Sequence, residues 1–206
     1  QLPWSGFSLT LPLWQQMHIQ RLQLSLPSNQ QPATADNSNL DTRLEQLAAV
    51  ISVLPQRLQI DALQIELPCS DTRCQLRGDL LLKKQGTTTA QQLDVQLNLQ
   101  HQQDQLRWHA QLQGDPQSVQ LQLNLAINQQ PQLRLNSSLQ KNAGGRLWQG
   151  DITGDLQGSA VLHSWLSQWL SNTSGNLPEA PAAAQLNASW QLQLAPGPLS
   201  LSQLQQ

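Results

Sequence analysis

The 206-residue chain carries 41 Leu, 38 Gln, a charged fraction of only 12% and a net charge of −2, whereas charged residues usually make up about 25% of a chain. With 11 Lys and Arg against 13 Asp and Glu, nucleic-acid binding driven by phosphate neutralisation is excluded, and two Cys are too few for a disulfide-rich scaffold. No run approaches the about 18 consecutive apolar residues of a membrane-spanning helix, yet the apolar residues recur too regularly for a disordered chain.

The chain opens at Gln1 without an initiator Met or a signal-peptide pattern. It closes inside an alternating stretch that ends at Gln206. The expectation is one β segment, 1–206, of a longer protein whose anchor and targeting segments lie outside it. The first alternating stretch runs Met17, Ile19, then Leu22, Leu24, Leu26, with a change of parity on the way. A loop rich in Ser, Asn, Gln, Pro and Ala follows at 27–39. Leu40, Leu44, Leu47, Ala48, Ile51 and Leu54 then fall at helical spacing, so a helix is expected over 40–54, with Asn39 or Asp41 as N-cap and Pro55 as terminator.

Period-two alternation dominates the remainder, which places successive side chains on opposite faces of strands. Strands are expected at 58–67 and 74–82. Further strands carry Leu93, Val95, Leu97 and Leu99; Leu106, Trp108, Ala110 and Leu112; Val119, Leu121, Leu123, Leu125 and Ile127; and Leu133 and Leu135. Two more are expected at 147–156 and 186–194, giving about nine or ten strands with short Asn, Asp, Gly or Pro turns. Each strand has one apolar face and one face of neutral amides, which suits an antiparallel meander. In 58–67 the apolar positions shift parity after Ile60, as they do after Ile19 in the first strand. Each shift fits either a β-bulge, near Asp61–Ala62 and near Gln20–Arg21, or a bend between two short strands. A second amphipathic helix, at about 160–171, is expected from Leu162, Trp165, Leu166, Trp169 and Leu170, with a Pro- and Ala-rich loop at 172–184. Gly-Asp occurs at 78–79, 114–115, 150–151 and 154–155, which fits either a hairpin repeat or chance placement of turn residues.

Catalytic chemistry is not expected. His18, His101, His109 and His163 are scattered without metal-ligand spacing, and His109 falls on the polar face by parity. No phosphate loop or nucleophile elbow is present. No catalytic, cofactor or metal residues are therefore assigned. Cys69 and Cys74 are separated by four residues containing the turn former Asp71, which favours a structural disulfide across a hairpin and hence an oxidising compartment. A zinc site would need further ligands, and a redox pair would more often be Cys-x-x-Cys. Trp108, Trp148 and Trp190 fall at apolar parity. Leu97, Leu99, Trp108, Leu121, Leu123, Leu125, Leu133 and Trp190 are expected to share one continuous apolar surface.

The passage from Leu54-Pro55 through Leu67-Pro68-Cys69 to Cys74-Gln75-Leu76-Arg77-Gly78-Asp79-Leu80, preceded by a Leu-rich helix and followed by amphipathic strands, resembles the AsmA-like superfamily of bacterial bridge-like lipid-transfer proteins. That superfamily includes the TamB type, and the helix and paired Cys passage most resembles the YdbH type. The resemblance implies a long, strongly coiled antiparallel sheet open along one side, a β-taco, with phospholipid acyl chains running along its apolar inside. It also implies a periplasmic bridge anchored in the inner membrane, moving phospholipid towards the outer membrane and supporting its lipid homeostasis. A small outer-membrane lipoprotein would extend the sheet as partner. Two other readings stay open: a structural or adhesive module with apolar faces closed in a sandwich, and a carbohydrate-active enzyme.

Overall fold

The computed structural model describes residues 15–25, 40–68, 73–86, 90–101, 103–115, 117–155 and 185–194. Alternation gives strand throughout. The elements run β1 (Gln16–Ser25), α1 (Leu40–Val53), β2 (Arg57–Pro68), β3 (Arg73–Gly86), β4 (Gln91–His101), β5 (Asp104–Asp115), β6 (Ser118–Ile127), β7 (Gln130–Asn142), β8 (Gly145–Asp155) and β9 (Gln185–Leu194). They form one nine-stranded sheet whose spatial order is the chain order. The helix expected over 40–54 is α1. The second helix, at 160–171, and the loops at 27–39 and 172–184 lie outside the described residues.

One feature of the expected sheet is corrected. The sheet is mixed: β1 pairs with β2 in parallel, Met17 opposite Leu58 and Leu24 opposite Ile65, while β2 to β9 are antiparallel throughout. The reason is the connection. A hairpin needs a turn of a few residues, whereas the chain between β1 and β2 contains a whole helix, long enough to return to the starting end of the sheet. Among the described residues the sheet is neither closed nor strongly curled.

The parity shift in β2 occurs as a bulge against β3. Between Ile60, opposite Leu80, and Leu63, opposite Gly78, β2 advances three residues while β3 advances two. The parallel pair keeps register through this point, with Ile19 opposite Ile60 and Leu22 opposite Leu63. The extra residue of β2 is thus matched by one in β1, and Ile19, Leu22, Ile60 and Leu63 all keep to the apolar face. The core sits here: Ile60, Leu63, Leu76 and Leu99 are buried, with Ile19, Leu22, Leu58, Ile65, Leu80, Leu97 and Leu106 packed around them. Gly78 faces this bulge, and a Cβ there would fall 1.7 Å from the Asn98 carbonyl oxygen, so no side chain fits without moving backbone.

Gly114–Asp115 marks a turn. Asp115 Oδ1 accepts hydrogen bonds from the Gln117 and Ser118 amides at 2.7 and 2.8 Å, a local Asp turn after Gly114. Gly78–Asp79 and Gly150–Asp151 lie inside β3 and β8, and Gly154–Asp155 is at the end of β8. They place glycine on the apolar face and carboxylate on the amide face and are not a hairpin repeat. β7 is much longer than its Leu133–Leu135 signal because a serine, Ser137, takes an apolar-face position. Its Oγ accepts a hydrogen bond from Trp148 Nε1 at 2.8 Å, which satisfies both groups.

Candidate functional site

Cross-strand register builds the apolar face row by row. One row runs Leu80, Leu97, Trp108, Leu125, Leu133 and Gly154 to Leu186. The next runs Leu82, Val95, Ala110, Leu123, Leu135 and Ile152 to Ala188. A third contains Leu93, Leu112, Leu121, Ser137, Gly150 and Trp190. Leu99, opposite Leu106, belongs to the row beyond. All eight residues expected to share a surface, Leu97, Leu99, Trp108, Leu121, Leu123, Leu125, Leu133 and Trp190, therefore point to one side of the sheet. Leu99 is buried in the core, and the other seven are half-buried. At about 4.8 Å between strands, the rows from β2 to β9 extend about 34 Å.

Trp148 and Trp190 meet edge to face at the β9 side, with ring centroids 5.6 Å apart and planes at 66°. The Trp190 ring lies over Gly150, where a Cβ would come within 2.6 Å of ring carbon Cζ2. Glycine here lets an indole lie flat on the sheet.

The opposite face is a lattice of amides and carboxylates. Asp94 Oδ2 receives Gln111 Nε2 at 2.8 Å and faces His109 Nε2 at 3.0 Å, while its Oδ1 receives Gln96 Nε2 at 3.2 Å. Asn98 donates to Asp79 at 2.8 Å and Asn136 to Asp151 at 2.9 Å. Open hollows of about 600 and 680 Å³ have walls that mix amide-face side chains such as Gln122, Asn136, His109 and Arg134 with apolar residues such as Leu121, Leu125 and Leu186. His109 sits on this face, and His18 faces Asp61 at 2.5 Å.

Partial burial works against ionisation of Asp94, but the hydrogen bonds from Gln111, His109 and Gln96 together outweigh it and hold the carboxyl below its ordinary value. The unfolded value is about 3.9. A depressed folded value means that ionised Asp94 stabilises the fold above about pH 4, and that this contribution is lost as pH falls through the folded value. A urea midpoint lower at pH 3 than at pH 6 is expected, and Asp94→Asn should narrow the difference. An unchanged gap in the variant would show that other carboxylates carry it.

The apolar face also carries three basic side chains that sequence reading did not single out: Lys84, Lys141 and Arg146. All three lie at the hairpin end of the sheet and are answered by α1, which crosses that end from β7 and β8 to β3. Near the start of the helix, Asp41 Oδ1 accepts from Arg146 Nε at 2.6 Å, and Lys141 Nζ lies 3.8 Å from Oδ2. The hydrogen bond from Arg146, aided by the charge of both cations, lowers the Asp41 pKa. At the other end Lys84 Nζ donates to the carbonyls of Ile51 (3.1 Å), Ser52 (2.9 Å) and Leu54 (2.5 Å) at the C-terminal end of the helix, where the Ile51 carbonyl also accepts from the Leu54 amide at 3.2 Å. A detectable signal existed: a lysine following Leu80 and Leu82 in phase, and an arginine in phase before Trp148, are charges at apolar parity.

Cys69 lies outside the described residues, as does the Cys74 side chain, and the disulfide expected between them falls there. Trp4, Trp14, Trp165, Trp169 and His163 lie outside as well. Among the described residues no group of three or more His, Cys, Asp or Glu is placed to hold a metal, and no helix is long and apolar enough to cross a membrane. No family model, curated protein or solved structure matches the chain.

Proposed function

We propose that the apolar face carries phospholipid acyl chains, and that the chain is a segment of a periplasmic bridge for phospholipid transfer between inner and outer membranes. The observation that supports this most is the face itself: buried to half-buried rows of Leu, Val, Ile, Ala and Trp continue across β2 to β9, with α1 covering one end among the described residues. Large contiguous apolar surface facing water is costly and marks a binding surface. An acyl chain laid on it gains about 0.8 kcal/mol for each CH₂ removed from water. Rows of similar aliphatic side chains make that gain nearly equal from place to place, so a lipid slides without a deep trap. On this reading the sheet would curl towards its apolar side around bound tails, with the register shifts at Ile60–Leu63 in β2 and at Pro131–Leu133 in β7 as places of bending. β1 and β9, the edges of the described sheet, can accept strands by β-addition, in keeping with an outer-membrane lipoprotein as partner and with an inner-membrane anchor elsewhere in the protein. No chemistry on the lipid is part of this reading.

The test is extraction. Purified chain, treated with organic solvent and analysed by mass spectrometry, is expected to release phospholipid in near-stoichiometric amount. Lipid-free protein that associates through its apolar faces would favour the adhesive module instead.

A further inference from the structure

α1 is held in an unusual way. Its two ends are fastened by charge, Asp41 to Arg146 and Lys141, and the Ile51, Ser52 and Leu54 carbonyls to Lys84. Its middle is packed loosely: Ile51 is the one buried residue of the helix, while Leu47 is 44% exposed and Val50 57%. Between helix and sheet lies a cavity of about 250 Å³. Leu44, Leu47 and Ile51 line it from the helix and Leu93, Leu112 and Val119 from the sheet, with Ser52, Gln91, Gln113 and Asp115 among its remaining, polar walls. A dry cavity of about 150 Å³ already accommodates benzene, so this space exceeds what a single small apolar group fills.

We propose that this cavity is a binding site for the end of an aliphatic chain, with α1 as its roof. The named apolar walls are branched aliphatic side chains without a ring for stacking, which suits a flexible methylene chain better than a planar ligand. The sheet walls are also in phase with the open face. Leu93, Leu112 and Val119 are followed along their strands by Val95, Ala110 and Leu121 on the same side. A chain lying on the open face can therefore run beneath the helix without crossing a polar row. Fastening at the helix ends leaves the middle able to rise slightly over an occupant while both clasps hold. The inference rests on the lipid reading for its natural occupant, an acyl chain.

The probe is cis-parinaric acid, a fatty acid that fluoresces strongly only in apolar surroundings. Titrated into the whole chain, it is expected to bind saturably, one per chain. Val119→Trp, which fills the cavity from the sheet, and Ala48→Leu, which fills it from the helix, should each weaken binding tenfold or more. Gln122→Trp on the amide face should leave it unchanged. Should circular dichroism show Val119→Trp misfolded, the smaller Ala48→Leu carries the test. No saturable binding, or unaltered affinity in the folded filling variants, overturns the proposal. Failure here with phospholipid still recovered from purified chain removes the cavity and leaves the lipid reading standing. Saturable, filling-sensitive binding by a chain that carries no phospholipid supports the cavity and removes the lipid reading.

Discussion

Leu63→Ala is expected to destabilise the chain by about 2–5 kcal/mol, the usual cost of emptying a buried Leu site. Leu63 is 4% exposed and lies at the β2 bulge, where Leu22, Gly78 and the core around Leu76 and Leu99 converge. The bulge fixes the backbone on both sides, which limits how far neighbours can collapse into the space. Against a total stability of about 5–15 kcal/mol, the loss should appear as a large drop in urea midpoint with an unchanged slope. Leu186→Ala, at a site 42% exposed on β9, is the contrast and should move the midpoint little. Equal effects from the two would mean that the β1–β5 cluster is not the core.

The second large effect separates lipid binding from folding. Leu123→Asp puts a carboxylate in the middle of the apolar face, between Ala110 and Leu135, where an acyl chain would have to lie beside it. An ionised group without a partner in apolar surroundings costs several kcal/mol or more. Bound phospholipid should therefore fall severalfold at least, with the strand signal in circular dichroism retained, because the site is half-buried and can reach water once lipid leaves. Gln122→Asp, one residue away, faces the amide lattice opposite Gln111 and Asn136 and should keep its lipid. Equal losses from the two variants, both folded, would remove the apolar face as the binding surface.

The sequence made α1 and the antiparallel strands legible because period two and period 3.6 are unmistakable in a chain whose apolar residues are nearly all Leu and whose polar ones are largely Gln. The bulge at Ile60–Leu63 was legible as a parity slip, and so was its companion in β1. What was not legible has physical reasons. Alternation looks the same in parallel and antiparallel strands, so the direction of β1 depended on where α1 returned the chain. Curvature depends on twist and bulges summed over many strands, a quantity no single residue encodes. The clasp at Arg146, Lys141 and Asp41 joins positions 105 residues apart in its shortest contact, and only the stacking of the six intervening strands, β2 to β7, brings them together. Lys84 was visible as a charge at an apolar position, in phase with Leu80 and Leu82, but its partners, three backbone carbonyls, carry no side-chain signature.

The most direct measurement is site-specific photocrosslinking to phospholipid. A photoreactive residue is placed in turn at Leu97, Leu123 and Leu133 on the apolar face and at Gln96, Gln122 and Arg134 on the amide face. The protein is irradiated in the envelope of producing cells, and each purified variant is analysed for covalently attached lipid. Adducts at the three apolar positions, with none at their amide-face neighbours, are the expected result. Adducts equal on both faces, or absent from all three apolar positions, would contradict the account.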